Sequence, residues 1–325
     1  MKLIVSEMGA WRGYVSREYF YVMRELIEGY GWRQVETSRL WHSPRGLKAT
    51  LLELFGQMPE TILFWESYHL LGDRRRDVLE LDCRKCVFAD DLHWWNEGMR
   101  QSKQLAYTLC DTILAAYAYV FGSFFPDVAR AREVVWVPHA ASPDFMLPFN
   151  ERPINAVLLS GAVNHYYPLR QQLKALHDGG PRGVAYRPHP GYRCNYNYEN
   201  DESVGRGYAR TLNLYRACFT DALKYGYVVA KFFEIPATGA LLLADASVSG
   251  PLAELGFVEG VHYVPVREHD LEEKVEYVLD ESNHAALDAV RRAGQALVRE
   301  RHKTADRARL IDEACGPRDR SAGAE

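Results

Sequence analysis

The chain has 325 residues, 47% apolar and 25% charged. That composition suits a folded globular protein with room for two domains and excludes a disordered chain. A net charge of −4 gives no global basic field, so nucleic acid is not an expected partner.

No apolar window is long enough to span a bilayer. The closest run, from Tyr107 to Phe125, is interrupted by Asp111. The opening MKLIVSEMGAW carries only a short apolar run before charge follows, unlike a secretory leader, so a cytoplasmic location is expected. Six cysteines are scattered. Cys83 and Cys86 form a lone CxxC without the second pair that a zinc site needs, and are expected to be reduced structural thiols.

In chain order, Lys2 to Ser6 has the pattern of a buried strand. A loop from Glu7 to Val15 follows, carrying Gly9 and Gly13, and Ser16 is placed to cap a helix with apolar Phe20, Met23, Leu26 and Ile27 on one face. Strand, glycine loop and helix open a doubly wound domain, although the GxGxxG dinucleotide fingerprint is absent. The glycines either make the turn or let a ligand approach the backbone. Strand-like runs recur at Gln34 to Thr37, Thr61 to Phe64, Lys85 to Ala89, Thr112 to Ala116 and Val134 to Val137. Helical stretches such as Gly46 to Phe55 and Trp94 to Leu109 lie between them, predicting a parallel sheet covered on both faces.

Ligands of such sheets bind beyond the carboxyl ends of the strands. Polar groups cluster there: Glu66 and His69 after the third run, Asp90, Asp91 and His93 beside Trp94 and Trp95 after the fourth, and His139 in VVWVPHAASPDF after the last. Two carboxylates and an imidazole in one loop have the chemistry to bind hydroxyls or to move a proton. Trp11, Tyr14, Trp94 and Trp95 either fill a core or stack on a flat acceptor. Arg74 to Arg76 read as a solvated run with the chemistry to touch an anionic membrane surface or a partner.

Pro138 to Pro153 is rich in Pro, Ser and Asn and reads as a linker. A second α/β pattern then restarts. Its strands are expected at Ile154 to Ser160, Gly183 to Tyr186, Ala217 to Thr220, Ala240 to Ala244 and His262 to Val266. Its helices are expected at Pro168 to His177, Asp270 to Asp280, Asn283 to Arg301 and Thr304 to Cys315, before a polar tail from Gly316.

Three strand ends in this half carry chemistry. The small segment SGAVN, Ser160 to Asn164, presents backbone N–H groups in a phosphate-compatible shape. Arg187-Pro188-His189-Pro190 stiffens a loop bearing a cation and an imidazole. The third is Tyr225 with Lys231 and Glu234. The stretch Lys224 to Asp245 reads as loop, short helix and buried strand, with Lys231 and Glu234 three apart on one helix face, Pro236 tolerable only in the first turn, and Gly239 stopping the helix. Taken alone, this is either an ordinary surface ion pair or a place to hold a phosphate and a sugar hydroxyl together.

The segments KFFEIPATGALLLAD, LAELGFVEGVHYVPV and DLEEKVEYVLD resemble the C-terminal domain of GT-B glycosyltransferases, nearest the CgeB-type and glycosyl transferase group 1 families, and VPHAASPDF resembles the end of their N-terminal domain. The resemblance spans roughly Val134 to Leu310 and is architectural before that. It implies two Rossmann-like α/β domains facing each other across a cleft. The expected domains are an N-terminal acceptor domain (1–147), a C-terminal nucleotide-sugar domain (148–303) and a terminal helix with a frayed tail (304–325), the helix packing back on the first domain.

The implied activity is metal-independent, retaining transfer of a sugar from a UDP- or GDP-sugar to an acceptor hydroxyl, with the nucleotide sugar as co-substrate, no other cofactor and no bound metal. By motif, Glu234 would take the ribose hydroxyls and Lys231 would face the diphosphate, with Gly161, Asn164, Arg187, His189 and Tyr225 on the donor side. Gly9, Trp11, Gly13, Glu66 and His139 would lie on the acceptor side, and Asp90, Asp91 and His93 would supply a base. One departure stands out: Gly226 occupies the position where related retaining families carry an earlier carboxylate. The acceptor, whether glycan, lipid-linked or small molecule, is not named by the residues. The same fold also admits a protein that binds a nucleotide or glycan without turnover, and a sugar-nucleotide epimerase or hydrolase.

Overall fold

The structure, a computed structural model, describes residues 1–180 and 183–316. The predicted polar tail beyond Gly316 lies outside the described residues. Two compact units are present, each built on its own parallel sheet.

The first unit combines residues 1–9 and 20–138 with the described residues from Arg307 onward. Its six strands are β1 (Lys2–Val5), β2 (Arg33–Val35), β3 (Thr61–Trp65), β4 (Arg84–Ala89), β5 (Thr112–Ala115) and β6 (Glu133–Trp136). They lie in the order β2-β1-β3-β4-β5-β6, and every pairing is parallel. All residues of β3 and β5 are buried, as in strands covered on both faces. The edge strands β2 and β6 are partly exposed. The terminal helix Thr304–Ala314 is tied into this unit: Lys2 Nζ and Trp32 Nε1 both donate to Asp312 Oδ1, at 2.7 and 2.6 Å. Arg74 is no free surface cation. Its guanidinium pairs with Asp77 at 2.6 Å and donates to the Trp41 and Ser43 carbonyls, so it closes a loop where the sequence suggested a solvated run.

The second unit comprises residues 10–19 and 139–306. Its strands are β7 (Ile154–Gly161), β8 (Val184–Pro188), β9 (Tyr215–Thr220), β10 (Leu241–Asp245) and β11 (Val264–Val266), ordered β11-β10-β9-β7-β8 and all parallel. One face packs Val157, Leu159, Phe219, Leu241 and Leu243 against Leu169, Leu173, Val275 and Val278 from two helices. Burial of each such side chain contributes about 1.5–3 kcal/mol. The helix Gly205–Leu214, which sequence patterning did not single out, covers part of this sheet.

The segment read as a glycine loop contains the short helix Met8–Arg12. Gly13 is required by a close approach within the second unit, because a Cβ there would overlap the Cys194 carbonyl, and Gly13 O accepts from Tyr196 N at 3.0 Å. The Pro/Ser/Asn-rich stretch is held by hydrogen bonds within the second unit. Arg291, fully buried, donates to Asn150 O and Gly239 O, both at 2.9 Å, and Gln295 Nε2 donates to Leu147 O at 3.1 Å. The helix His284–Arg301 therefore binds this stretch to the end of the helix Lys231–Ala237.

Candidate functional site

In each sheet the strand order reverses at one point, between β1 and β3 in the first and between β7 and β9 in the second. At such a point, connections leave to opposite sides and open a crevice beyond the strand ends. In the second unit that crevice is bordered by Gly161, the last residue of β7, and by Thr220 and Asp221 at the end of β9.

Gly161 has φ +110°, a region open to glycine. A Cβ there would overlap Lys231 Nζ and sit 3.2 Å from Arg170 Nη1. Two cations thus converge on a strand end that only a residue without a side chain leaves open. Lys231 does not pair across its helix with Glu234, as the three-residue spacing suggested. Its Nζ donates to the Ser160 carbonyl and lies 3.4 Å from Ser160 Oγ, which shares a hydrogen bond of 2.7 Å with Tyr208. Arg170, 3% exposed, is held by the fully buried Asp221: Nε is 2.7 Å from Oδ1, and the backbone N–H of Arg170 donates to Oδ2 at 3.2 Å. It also donates to Thr220 Oγ1 at 3.2 Å and to the Ala162 carbonyl at 3.3 Å. Asp245, at the end of β10, fixes the next turn by accepting from Ala222 N at 3.1 Å and Ser247 N at 2.8 Å.

Burial and the neighbouring Arg170 charge push the Lys231 ammonium down to about 7. Burial pushes the Glu234 carboxyl up, the Lys231 charge opposing it and the Glu18 and Asp144 carboxylates adding to it. Glu234 itself is 7% exposed and lies in the first turn of Lys231–Ala237. Pro236 is the sixth residue of that seven-residue helix, not in its first turn; the helix ends at once, so its missing N–H removes only a closing hydrogen bond. Gly239, with φ +85°, turns the chain into β10.

The other donor-side residues read from the sequence divide. His189, half-buried one residue past β8, lies where burial and the Lys231 and Arg170 charges push its imidazole down to about 4. Arg187 already has partners: its guanidinium donates to Thr211 Oγ1 and to the Glu202 carbonyl. Asn164 makes the turn, its Oδ1 accepting from Tyr166 N at 2.9 Å. Tyr225 lies in an aromatic group with Tyr166 and Tyr227, with Lys224 over its ring. Between them, Gly226 has φ +71° and no atom within 4 Å of its Cβ position. Sequence reasoning missed Arg170, Asp221 and Tyr208, while Ser160 belongs to the small turn it did single out. Arg170 and Tyr208 sit inside helices, where spacing alone marks neither as different from a packing residue.

The residues grouped as acceptor-side are divided between the two units. Gly9 and Glu66 belong to the first unit, and Trp11, Gly13 and His139 to the second. Gly9 lies in an exposed helical turn. Trp11 packs edge-on against Tyr14 and Tyr19, both at 5.3 Å. His139 is buried, its Nδ1 2.8 Å from Glu18 Oε2, while Glu18 Oε1 accepts from Ala140 N at 2.7 Å.

In the first unit, Glu66 stands at the reversal point with φ +48°, a conformation that costs a non-glycine residue about 1–3 kcal/mol. Its carboxyl accepts from Asp90 N at 3.3 Å. Burial and the Asp90 and Asp91 charges push it up to about 8. His93 is buried and 3.7 Å from the exposed Asp91. Lys103, 2% exposed, donates to the Asp91 and His93 carbonyls and so holds the loop carrying all three predicted groups. That lysine carried no signal, since it sits within an ordinary amphipathic helix. Among the described residues, no three His, Cys, Asp or Glu side chains converge as metal ligands. Among the described residues, no helix is long and apolar enough to cross a membrane.

Residues 195–313 match the glycosyl transferase-like family. No curated protein matches. Among solved structures, a sucrose-phosphate synthase from Thermosynechococcus elongatus superposes with a TM-score of 0.65 at 11% identity, covering 96% of this chain and 97% of that one. A glycosyltransferase from Rickettsia africae gives 0.57 at 10% identity, with 96% and 97% covered. Anabaena HepE in complex with UDP-glucose gives 0.55 at 10% identity, with 97% and 99% covered. The chain has the GT-B fold, with a glycosyl transferase-like segment in its second half.

Proposed function

We propose that the protein is a glycosyltransferase that moves a sugar from a nucleoside-diphosphate sugar, UDP- or GDP-linked, to an acceptor hydroxyl, without a bound metal. The observation that carries this reading is the convergence of Lys231 and Arg170 on the bare backbone of Gly161 at the reversal point of the second sheet. Two cations at a side-chain-free strand end fit a diphosphate, whose charge they would carry where other enzymes use a metal ion. Glu234, buried nearby, has a carboxylate suited to accept both hydroxyls of a ribose. The similarity to structures solved with UDP or UDP-glucose supports a UDP-sugar first.

The donor-side turn from Ala222 to Tyr227 carries no carboxylate, and Asp221 is engaged by Arg170. If transfer is retaining, this turn supplies no nucleophile for a covalent glycosyl-enzyme, and the reaction runs in one step on one face of the sugar. The bond from the sugar's C1 to the diphosphate oxygen breaks, its electron pair stays on the diphosphate, and the acceptor oxygen bonds C1 from the same face. The acceptor's proton passes to the departing diphosphate. If the outcome is instead inversion, a base is needed, and Asp90, Asp91 and His93 are the candidates.

The carboxylate-free turn at Gly226 also favours a second reading, in which the protein binds a nucleotide sugar without turnover. Calorimetry with UDP and GDP, followed by assays of UDP-glucose hydrolysis and transfer, separates the two. Binding with neither hydrolysis nor transfer supports the second reading. Glu234→Ala should weaken nucleotide binding about 10–100-fold, the loss expected of hydrogen bonds to a charged group. Unchanged affinity would remove the ribose assignment.

A further inference from the structure

We propose that His189 acts as a neutral imidazole with its proton fixed on Nε2, donating a hydrogen bond to the leaving diphosphate. This rests on the donor reading given above. The backbone N–H of Gly191 donates to His189 Nδ1 at 2.9 Å. A backbone amide has only a proton to offer, so Nδ1 must be the acceptor and Nε2 must carry the hydrogen.

The fold holds the ring in this state. Pro188 pairs with Gly161 in the β7–β8 register, so His189 begins the loop directly beyond the strand end where Lys231 and Arg170 converge. The prolines on either side of His189 restrict the backbone, and Gly191, at φ +106°, turns its amide back toward the ring. Tyr192 covers one ring face at 4.3 Å, and Tyr196 Oη ties the loop by donating to Gly191 O at 2.8 Å. No described residue accepts a hydrogen bond from Nε2. The charges facing the ring are Lys231 and Arg170, both cations, and together with burial they disfavour the imidazolium at neutral pH.

Chemically, the arrangement supplies a third donor to the diphosphate without a third positive charge. As the C1–O bond breaks, the electron pair moves onto the diphosphate oxygen. The Nε2–H bond strengthens its hold on that growing charge and keeps its own proton throughout. The two cations set affinity for donor and product alike, whereas the neutral donor adds mainly to the transition state.

Two measurements test this. In protein labelled with ¹⁵N-histidine, long-range ¹H–¹⁵N spectra should show His189 as the Nε2–H tautomer at pH 7, protonating only below about pH 5. An Nδ1–H tautomer, or an imidazolium at pH 7, overturns the proposal. The second measurement is UDP-glucose turnover, with UDP affinity measured alongside. His189→Gln puts an amide N–H near the Nε2 position and should stay within about tenfold of wild type. His189→Asn, whose amide reaches only the Nδ1 position, should lose about 100-fold in turnover with UDP affinity changed less than about fivefold. Equal turnover of the two variants, with unchanged dispersion in their spectra, overturns it. Wild-type protein that binds neither UDP nor GDP overturns the donor reading and this assignment together. UDP binding with the wrong tautomer overturns this assignment alone.

Discussion

The carboxyl edges of the two sheets carry opposite chemistry on the same topology. Each sheet reverses its strand order once, and each reversal point holds a residue in the left-handed region: Glu66 at φ +48° in the first unit, Gly161 at φ +110° in the second. Around Glu66 the groups are acidic, and the buried cation Lys103 donates to the backbone carbonyls of Asp91 and His93. Around Gly161 the groups are basic, and the buried anion Asp221 is engaged in holding Arg170. The parallel-sheet topology supplies a crevice in both places; which ions surround it decides what the crevice can hold. An edge rich in carboxylates suits hydroxyls and protons, and an edge with converging cations suits phosphate.

That contrast can be broken at its basic end with the largest effect. Gly161→Ala places a methyl group against Lys231 Nζ and forces an unfavourable φ, so UDP affinity by calorimetry should fall more than about 100-fold. Full affinity in this variant would mean that the cations hold nothing at this strand end. Asp221→Asn frees Arg170 from its fixed orientation and should cost about 10–100-fold in UDP affinity.

A pH titration sharpens the same end. Lys231, held down to about 7, must be protonated to hold a diphosphate, so affinity should fall by up to about tenfold per unit as pH rises above that value. Glu234, pushed up to about 7, must be ionised to accept ribose hydroxyls, so affinity should also fall on the acid side. Calorimetry in buffers of different ionisation heat should show a maximum near neutrality with proton uptake on its alkaline side. A flat profile from pH 6 to 8.5 would contradict both assignments.

The acidic edge should respond least. At neutral pH the Glu66 carboxyl is mostly protonated, and an amide nearly reproduces its shape. Glu66→Gln should therefore leave UDP-glucose turnover within about threefold and flatten its dependence near pH 8. A loss of 100-fold would instead give the ionised Glu66 a direct part in the chemistry.

Much of the fold was legible because parallel strands buried on both faces leave continuous apolar runs. Thr61 to Trp65 and Leu241 to Asp245 stand out for that reason. Lys231 and Glu234 were legible as chemistry through their motif, and Gly161 through a small turn after an apolar run. Element ends shifted by a few residues where caps, not periodicity, decide them: Asn96 accepts from Met99 N, so the helix starts at Glu97, three residues inside the expected start at Trp94. The helix Met8–Arg12 was hidden by its glycine.

What the sequence determined by itself is the α/β alternation, the two parallel sheets and the residue types at their carboxyl edges. These are encoded locally, in apolar period and in glycine or proline punctuation. Only the tertiary structure decided which of those residues meet. Arg170 and Asp221 are 51 positions apart and Lys231 and Ser160 are 71 apart, so no local pattern links them. Likewise, spacing on a helix put Lys231 beside Glu234, while packing against β7 took its ammonium to Ser160. Long-range contacts of buried charge arise from how sheet and helices close on one another, and that closure is where the candidate diphosphate cradle is made.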